Sequence, residues 1–222
     1  MATEVTGGET SPLISATIVR SGKIALVAGG PDRWQPQPAY SLIPLELPGG
    51  PPCAGEPLHR AVSRHCHATL GIHARPLTSR QLFGPSPAHR MDRLSPGTEK
   101  PPIPLLRFER PLVGAGSDGN QIESVVVRSY LARIEDDPLS TERTCGVLWS
   151  SPEAMSSLLR GVPFAEIADL PRGAEWLPNP TYPLPADAFF YVPSEFGERH
   201  LVRLIAKYGR GALDGEDFAD ES

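Results

Sequence analysis

The chain has 222 residues, a length typical of one domain with long loops rather than two full domains. Hydrophobic residues make up 40% of it and charged residues 21%, a balance that predicts a packed core and argues against a wholly disordered protein. The net charge of −5 comes from the last eleven residues, which hold five acids and no Lys or Arg, so the rest of the chain is neutral. We therefore expect no broad nucleic-acid-binding surface.

The sequence predicts a cytoplasmic protein with no membrane contact. No stretch approaches the roughly 18 consecutive apolar residues of a transmembrane helix. The first twelve residues lack the basic and then apolar pattern of a signal peptide. Cys53, Cys66 and Cys145 are odd in number and widely spaced, which suits a reducing compartment and predicts no disulfide framework.

The first third of the chain predicts three strands and a helix. Two β-branched segments around Ser21 and Gly22, within residues 13–27, predict a hairpin. Residues 40–47 predict a further strand, which ends at a Pro-Gly-Gly sequence. Apolar residues recur at helical spacing over residues 56–70, and Gly71 supplies a stop signal.

Proline and glycine interrupt the second half of the chain. Residues 84–121 are rich in both and predict a lid or a poorly ordered insertion, with one strand at 103–109. Strands are predicted at 124–134 and 146–150, followed by a helix at 152–160. A Pro-rich span then leads to an amphipathic helix at 194–208, which ends at Gly209.

The order of these elements predicts a mixed α/β or α+β fold. We expect a flexible leader at 1–12, a main domain at 13–161 that includes the 84–121 insertion, and a C-terminal extension at 162–209 that ends in a helix. Residues 210–222 are expected to form a solvated acidic tail.

Residues 47–72, with the sequence LPGGPPCAGEPLHRAVSRHCHATLGI, resemble the signature of the Nudix hydrolase family. That signature, the Nudix box, is G-x5-E-x7-R-E-U-x-E-E-x-G-U, where U is a bulky aliphatic residue. The matching residues are Gly50, Glu56, Arg64, Gly71 and Ile72. Residues 146–161 are also similar to the strand and helix that follow in the family. The resemblance implies a Nudix-like α/β/α sandwich with a mixed sheet, long Pro-rich loops and a C-terminal helical extension.

Three positions of the box depart from the family. Glutamates stand at these positions in Nudix hydrolases and hold the magnesium or manganese ions, whereas this chain has His65, Ala68 and Thr69. Mg²⁺ prefers hard oxygen ligands, chiefly carboxylates. Ala68 supplies no ligand and Thr69 only a neutral hydroxyl. We therefore expect weak metal binding, with neither the Lewis-acid role nor an activated water.

Some residues in and around the box remain candidates for function. Glu56, Glu46 and Glu123 are the catalytic candidates, and Glu56 is a weak candidate for metal binding. Gly49, Gly50 and Arg64 are candidates for ligand binding. Each also has a structural explanation: the glycines suit a tight loop, Glu56 suits a helix start, and Arg64 suits an ion pair with Glu56. Glu99 and Glu109 are two further acids that could reach the site from outside the helix.

The histidines of the helix do not predict a zinc site. At 100° per residue, His65 and His67 point to opposite sides of the helix, and His59 and Cys66 lie about 10 Å apart along it. His73 follows the helix and could meet a partner only through the fold. Exposed or core-edge histidines are the favoured interpretation.

Three hypotheses about function remain. The first is a catalytically degenerate binding or regulatory module for a nucleotide or other diphosphate-like ligand, with no cofactor. The second is a divergent hydrolase of nucleoside diphosphate-linked substrates, which would need Mg²⁺ or Mn²⁺. The third is a protein-interaction module that binds a protein partner or forms a homodimer through the Pro-rich loops and the last helix.

Overall fold

A mixed β-sheet lies between two layers of helix in the computed structural model, so the expected α/β/α sandwich is confirmed. The structure describes residues 12–87, 90–97, 99–111, 124–139, 141–158, 162–163, 172–193 and 197–217. The expected leader therefore lies outside the described residues except for Pro12.

Strands are the commonest regular element among the described residues. The strands are β1 (Leu13–Arg20), β2 (Lys23–Gly29), β3 (Gln35–Pro36), β4 (Ser41–Glu46), β5 (Gly49–Gly50), β6 (Arg75–Ser79), β7 (Leu82–Pro85), β8 (Met91–Leu94), β9 (Leu106–Pro111), β10 (Ser124–Arg133), β11 (Thr144–Ser150), β12 (Val162–Pro163), β13 (Ala174–Pro178), β14 (Ala188–Tyr191) and β15 (Gly215–Asp217). The α-helices are α1 (Leu58–Leu70), α2 (Pro152–Leu158) and α3 (Glu198–Tyr208).

Strands β1 and β10 form the parallel centre of the sheet. Their register runs from Leu13 opposite Val127 to Val19 opposite Arg133. β1 also pairs with β2 across a tight turn in which Ser21 and Gly22 both have positive φ, the backbone that a two-residue hairpin requires. From this centre the main path of the sheet runs outward as β2, β4, β14 and β12 on one side and β9, β7 and β8 on the other.

Each face of the sheet buries its own apolar cluster. On one face, Ile14 and Ile18 of β1 pack with Val62 and Cys66 of helix α1. On the other face, strand residues such as Leu26 and Ile43 share a cluster with Met155 of α2 and Leu201 of α3. Burial of these side chains is the main force that holds the helices against the sheet.

The strongly patterned elements occur where the sequence predicts them. Helix α1 ends at Gly71, whose φ of 68° suits a glycine cap and whose N–H donates to the carbonyl oxygen of His67 at 2.8 Å. The hairpin, β4, β10, β11, α2 and α3 are also confirmed, with shifted ends. The strand expected at 103–109 is observed as β9, three residues later.

Residues 84–121, expected to be a lid or a poorly ordered insertion with one strand, contain more strand than expected. β7 ends in this segment, and β8 and β9 lie within it; residues 112–123 are outside the described part of the chain. β6, β13 and β14 were also not predicted. These strands are four or five residues long, and β6 and β13 contain proline, which leaves too little alternation for a sequence pattern to reveal.

The residues after 161 join the same sheet as those before it. β14 pairs in parallel with β4, and β13 pairs with β11. The first part of the acidic tail forms β15 against β6, with the Glu216 and Asp217 side chains still partly exposed; residues 218–222 are not described. The boundary at residue 161 stays a prediction. None of the described helices has the length and apolar character needed to cross a membrane.

Candidate functional site

The loop before helix α1 lies against strand β1 and needs glycine at two positions. Gly49 and Gly50 pair with Ser15 and Ile14. A Cβ atom on Gly49 would lie 2.5 Å from the carbonyl oxygen of Ile14, and one on Gly50 would lie 2.5 Å from Cε1 of His65. Both contacts are too short for any side chain, so the two glycines allow the loop to approach the sheet and the helix closely.

Glu56 and Arg64 form a two-pronged ion pair across the loop and the helix. Arg64 Nε donates to Glu56 Oε1 at 2.8 Å and Nη2 donates to Oε2 at 2.7 Å. The backbone N–H of Cys53 also donates to Oε2 at 2.8 Å, and Arg64 Nη2 reaches the carbonyl oxygen of Pro51 at 3.2 Å. These contacts clasp residues 51–56 onto α1, as paired guanidinium and carboxylate groups do.

The electrostatics of Glu56 follow from this pair. Its side chain is 15% exposed, and the hydrogen bonds from Arg64 lower its pKa from 4.5 to about 2. Glu56 is therefore a carboxylate at neutral pH, but both of its oxygens already accept hydrogen bonds. A metal ion at Glu56 would have to compete with the Arg64 guanidinium.

The three replaced box positions carry no charge that would attract a cation. His65 Nε2 lies 3.2 Å from the carbonyl oxygen of Pro51, and burial lowers the pKa of this histidine, which favours the neutral ring. Ala68 and Thr69 are half-buried. The end of the helix is covered by the segment before β11, because Thr141 Oγ1 donates to the Thr69 carbonyl oxygen at 2.7 Å.

The other acids that the sequence suggested as candidates are Glu46, Glu123 and Glu109. Glu46, at the end of β4, forms an ion pair with Arg33. Glu123 lies outside the described residues, and Glu109 is exposed. Among the described residues, no group of three or more His, Cys, Asp and Glu side chains is arranged to hold a metal ion.

Glu99 is the acid that the fold brings to the α1 face of the sheet. Its side chain is 11% exposed and accepts a hydrogen bond from Arg107 Nη1 at 3.2 Å, and Arg128 Nε lies 3.2 Å from each carboxylate oxygen. Arg107 and Arg128 are directly opposite each other on β9 and β10. Ile14 pairs with Arg128 on one side and with Gly50 on the other, so the two arginines lie about 10 Å or more across the sheet from the loop.

Two features of the site had no usable signal in the sequence. Glu198, at the start of α3, is fully buried and accepts a hydrogen bond from the backbone N–H of Leu47 at 3.2 Å, which ties the last helix to the segment just before Gly49. The cluster of Glu99, Arg107 and Arg128 likewise depends on chain segments meeting in the fold. Acids and arginines within strands and loops are too common for their pairing to be predicted from one sequence.

The histidines do not gather into a ligand set in the described part of the chain. His67 and His73 stack on each other with ring centroids 4.9 Å apart, while His65 faces the loop. The sequence left open what His73 would contact. In the structure, its ring stacks on that of His67 in helix α1.

The chain is similar to several proteins of known structure. No family model matches the chain, and no curated protein does. Among solved structures, it is similar to a MutT Nudix hydrolase from Burkholderia pseudomallei, at 23% identity over 64% of this chain and 84% of that one, with a TM-score of 0.36. It is also similar to a possible asymmetric diadenosine tetraphosphate hydrolase from Jonesia denitrificans, at 15% identity over 94% and 99% of the two chains, with a TM-score of 0.48.

A third such structure is an ADP-ribose pyrophosphatase from Streptococcus suis, at 14% identity over 64% of this chain and 75% of that one, with a TM-score of 0.35. Of these three proteins, the one from Burkholderia pseudomallei is named as a Nudix hydrolase, the family whose signature residues 47–72 resemble. All three TM-scores are below 0.5, so the chemistry of the site rests on the residues of this chain.

Proposed function

We propose that this chain is a Nudix-fold protein that binds a nucleotide or another diphosphate-like ligand and lacks the metal-dependent hydrolysis of the family. One observation carries the proposal. Helix α1 has His65, Ala68 and Thr69 where the family has metal-binding glutamates, and the one acid of residues 47–72, Glu56 in the loop before the helix, is held by Arg64.

The ligand would bind on the α1 face of the sheet, next to the loop. Gly49 and Gly50 hold the loop close to strand β1 and helix α1, and Arg107 and Arg128 supply two guanidinium groups with a geometry suited to phosphate oxygens. Glu99 now holds both arginines, so a diphosphate would compete with this carboxylate. Arg64, the ligand-binding candidate within the box, would add a third positive charge only if it turned away from Glu56.

A cytoplasmic location is part of this proposal. Cys53, Cys66 and Cys145 are all free thiols, which suits a reducing compartment. The neutral body of the chain fits a small ligand better than a long nucleic acid.

Thermal shifts with ADP, ADP-ribose, UDP-glucose and diadenosine tetraphosphate, each with and without Mg²⁺, test the proposal. We expect at least one of these probes to raise the melting temperature equally in both conditions, and chromatography to find the probe intact. Arg128→Gln should weaken that stabilisation and Glu99→Gln should strengthen it, because the second change frees both arginines. Glu142→Gln, an exposed acid outside the site, is the matched control and should change neither.

Magnesium-dependent cleavage of a probe would contradict the proposal and favour the divergent hydrolase that uses Glu56, Glu46 or Glu123. In that case Glu56→Gln would abolish cleavage. If no probe stabilised the protein, the proposal would fail and a protein-interaction module, with a protein partner or a second copy of the chain, would be favoured instead.

A further inference from the structure

A cavity lies at the opposite end of strand β1 from the loop that contains Gly49 and Gly50. Its volume is about 380 Å³, and it is bounded by the β1–β2 turn, the end of β10 and the 3-10 turn at Gly209–Leu213. Its lining includes three arginines, Arg20, Arg133 and Arg210, and one acid, Asp214. The lining therefore carries two net positive charges.

The position of the cavity in the sheet is one where ligands commonly bind. β1 and β10 are parallel, and the cavity is at the carboxyl ends of both, where Val19 is opposite Arg133. In open α/β sheets, the crevice outside the carboxyl ends of parallel strands is the usual ligand site. Gly50 pairs with Ile14, five residues before Val19, so the two sites are roughly 17 Å apart along the strand.

Arg20 is held in place on one wall of the cavity. Its guanidinium carbon lies 4.7 Å from the centroid of the Trp149 ring, and Nη1 donates to Asp137 Oδ1 at 2.5 Å. The Arg20 side chain is 30% exposed, whereas that of Asp137 is 77% exposed. Stacking on the aromatic ring fixes the guanidinium group, so little conformational freedom remains to be lost when an anion binds.

The other two arginines have weaker partners. Arg133 Nη1 lies 3.4 Å from Asp217, and Arg210 Nε lies 3.5 Å from Glu153; in both pairs each side chain is close to half exposed or more. Ion pairs this open to solvent contribute little, so a ligand can replace them.

We propose that this cavity binds a small phosphate ester through Arg20, Arg133 and Arg210. A phosphate monoester is close to a dianion at neutral pH, and it would replace the exposed Asp137, Asp217 and Glu153 carboxylates that now pair with these arginines. Guanidinium groups bind phosphate oxygens through paired hydrogen bonds, and three of them can contact one phosphate from different sides. The volume lies within the range of small-molecule sites and leaves room beyond the phosphate for the esterified group.

Calorimetric titration with inorganic phosphate and with glycerol 3-phosphate, at constant ionic strength, tests the proposal. Both probes should bind to the wild-type protein, and the ester should bind at least as tightly as phosphate. Arg133→Gln and Arg210→Gln should each weaken binding about tenfold, because each removes a charged hydrogen-bond donor.

Arg75→Gln is the matched control. Arg75 is opposite Arg133 in the β6–β10 ladder and pairs with the same acid, Asp217 at 3.6 Å, but it is not part of the cavity lining. It should leave phosphate affinity unchanged. Melting temperatures without phosphate show whether each variant is folded, and Arg210, at 65% exposure, is the variant least able to disturb folding.

Several results would overturn the proposal. These are failure of phosphate to bind to the wild-type protein, equal losses in Arg75→Gln and Arg133→Gln, or weaker binding of the ester than of phosphate. Loss of binding in Arg128→Gln but not in Arg133→Gln would assign the anion to the site near the loop and would also overturn it.

Discussion

The junction between the Gly-rich loop and helix α1 is held differently from the end of the same helix. At the junction, charged side chains make the contacts, with Glu56 and Arg64 as the central pair. At the end, the contacts go to the helix backbone: Thr141 binds the carbonyl oxygen of Thr69, and the N–H of Leu139 binds that of Leu70 at 2.8 Å. The junction holds the residues that match the Nudix signature in shape, while the end of the helix has packing contacts and no carboxylates.

This difference shows that loop shape and metal binding depend on different residues. The loop requires glycines and an ion pair to keep its shape, and those residues are present. Metal chemistry requires several carboxylates close together, and the family's positions for them hold a histidine, an alanine and a threonine. The loop can therefore have this shape without the charges that cation binding needs.

The largest effect is expected at the junction, from Gly49→Ala. The new methyl group would lie 2.5 Å from a backbone oxygen of β1, which cannot move without disturbing the sheet. We expect the free energy of unfolding to fall by about 3 kcal/mol, measured by denaturant titration. Gly211→Ala is the control, because a Cβ there has nothing within 4 Å. A Gly49→Ala variant as stable as this control would contradict the close approach of loop and strand.

Glu56→Gln should have the next largest effect. It leaves Arg64 without its charged partner and weakens three hydrogen bonds. We expect a loss of about 2 kcal/mol in the free energy of unfolding. Glu142→Gln, at an exposed position, should cost less than about 0.5 kcal/mol. Equal effects of the two changes would mean that the pair does not hold the loop.

The same pair gives the protein an acid-sensitive contribution to stability. The pKa of Glu56 is lowered from 4.5 to about 2 in the folded state, so the contribution is present above pH 4.5 and is lost as the pH falls toward 2. The wild-type protein should therefore lose more stability over this range than Glu56→Gln. Parallel curves of melting temperature against pH for the two proteins would show that Glu56 has an ordinary pKa.

A smaller effect is expected at the end of the helix, from Thr141→Val. This change removes the hydroxyl that donates to the Thr69 carbonyl oxygen. We expect a loss of about 1 kcal/mol, measured by denaturant titration. A loss larger than that of Glu56→Gln would reverse the comparison, because the end of the helix would then depend more on a single contact than the junction does.

The parts of the fold that the sequence predicted are those with strong periodicity. The alternation in β1 and β10 and the helical spacing in α1 each cover enough residues to distinguish strand from helix. β7, β8 and β14 have only four residues each, so their pairing depends on neighbours that are distant in the sequence. Tertiary pairing, rather than local preference, forms these strands.

The contacts of the candidate site divide in the same way, into local contacts that the sequence predicts and distant contacts that it does not. The spacing of the box predicted that Glu56 and Arg64 could meet, since both belong to one loop and helix. Glu99 and Arg128 are 29 residues apart, and Leu47 and Glu198 are 151 residues apart. Contacts of that kind depend on the path of the sheet, which one sequence does not specify.

Titration with Mn²⁺, followed by the electron paramagnetic resonance signal of the free ion, tests the proposed lack of metal binding most directly. The wild-type protein and a triple variant with His65→Glu, Ala68→Glu and Thr69→Glu would be compared. We predict that Mn²⁺ does not bind to the wild-type protein. It should bind to the variant, which has three carboxylates on an intact loop and helix. Mn²⁺ binding to the wild-type protein that Glu56→Gln weakens would contradict this account.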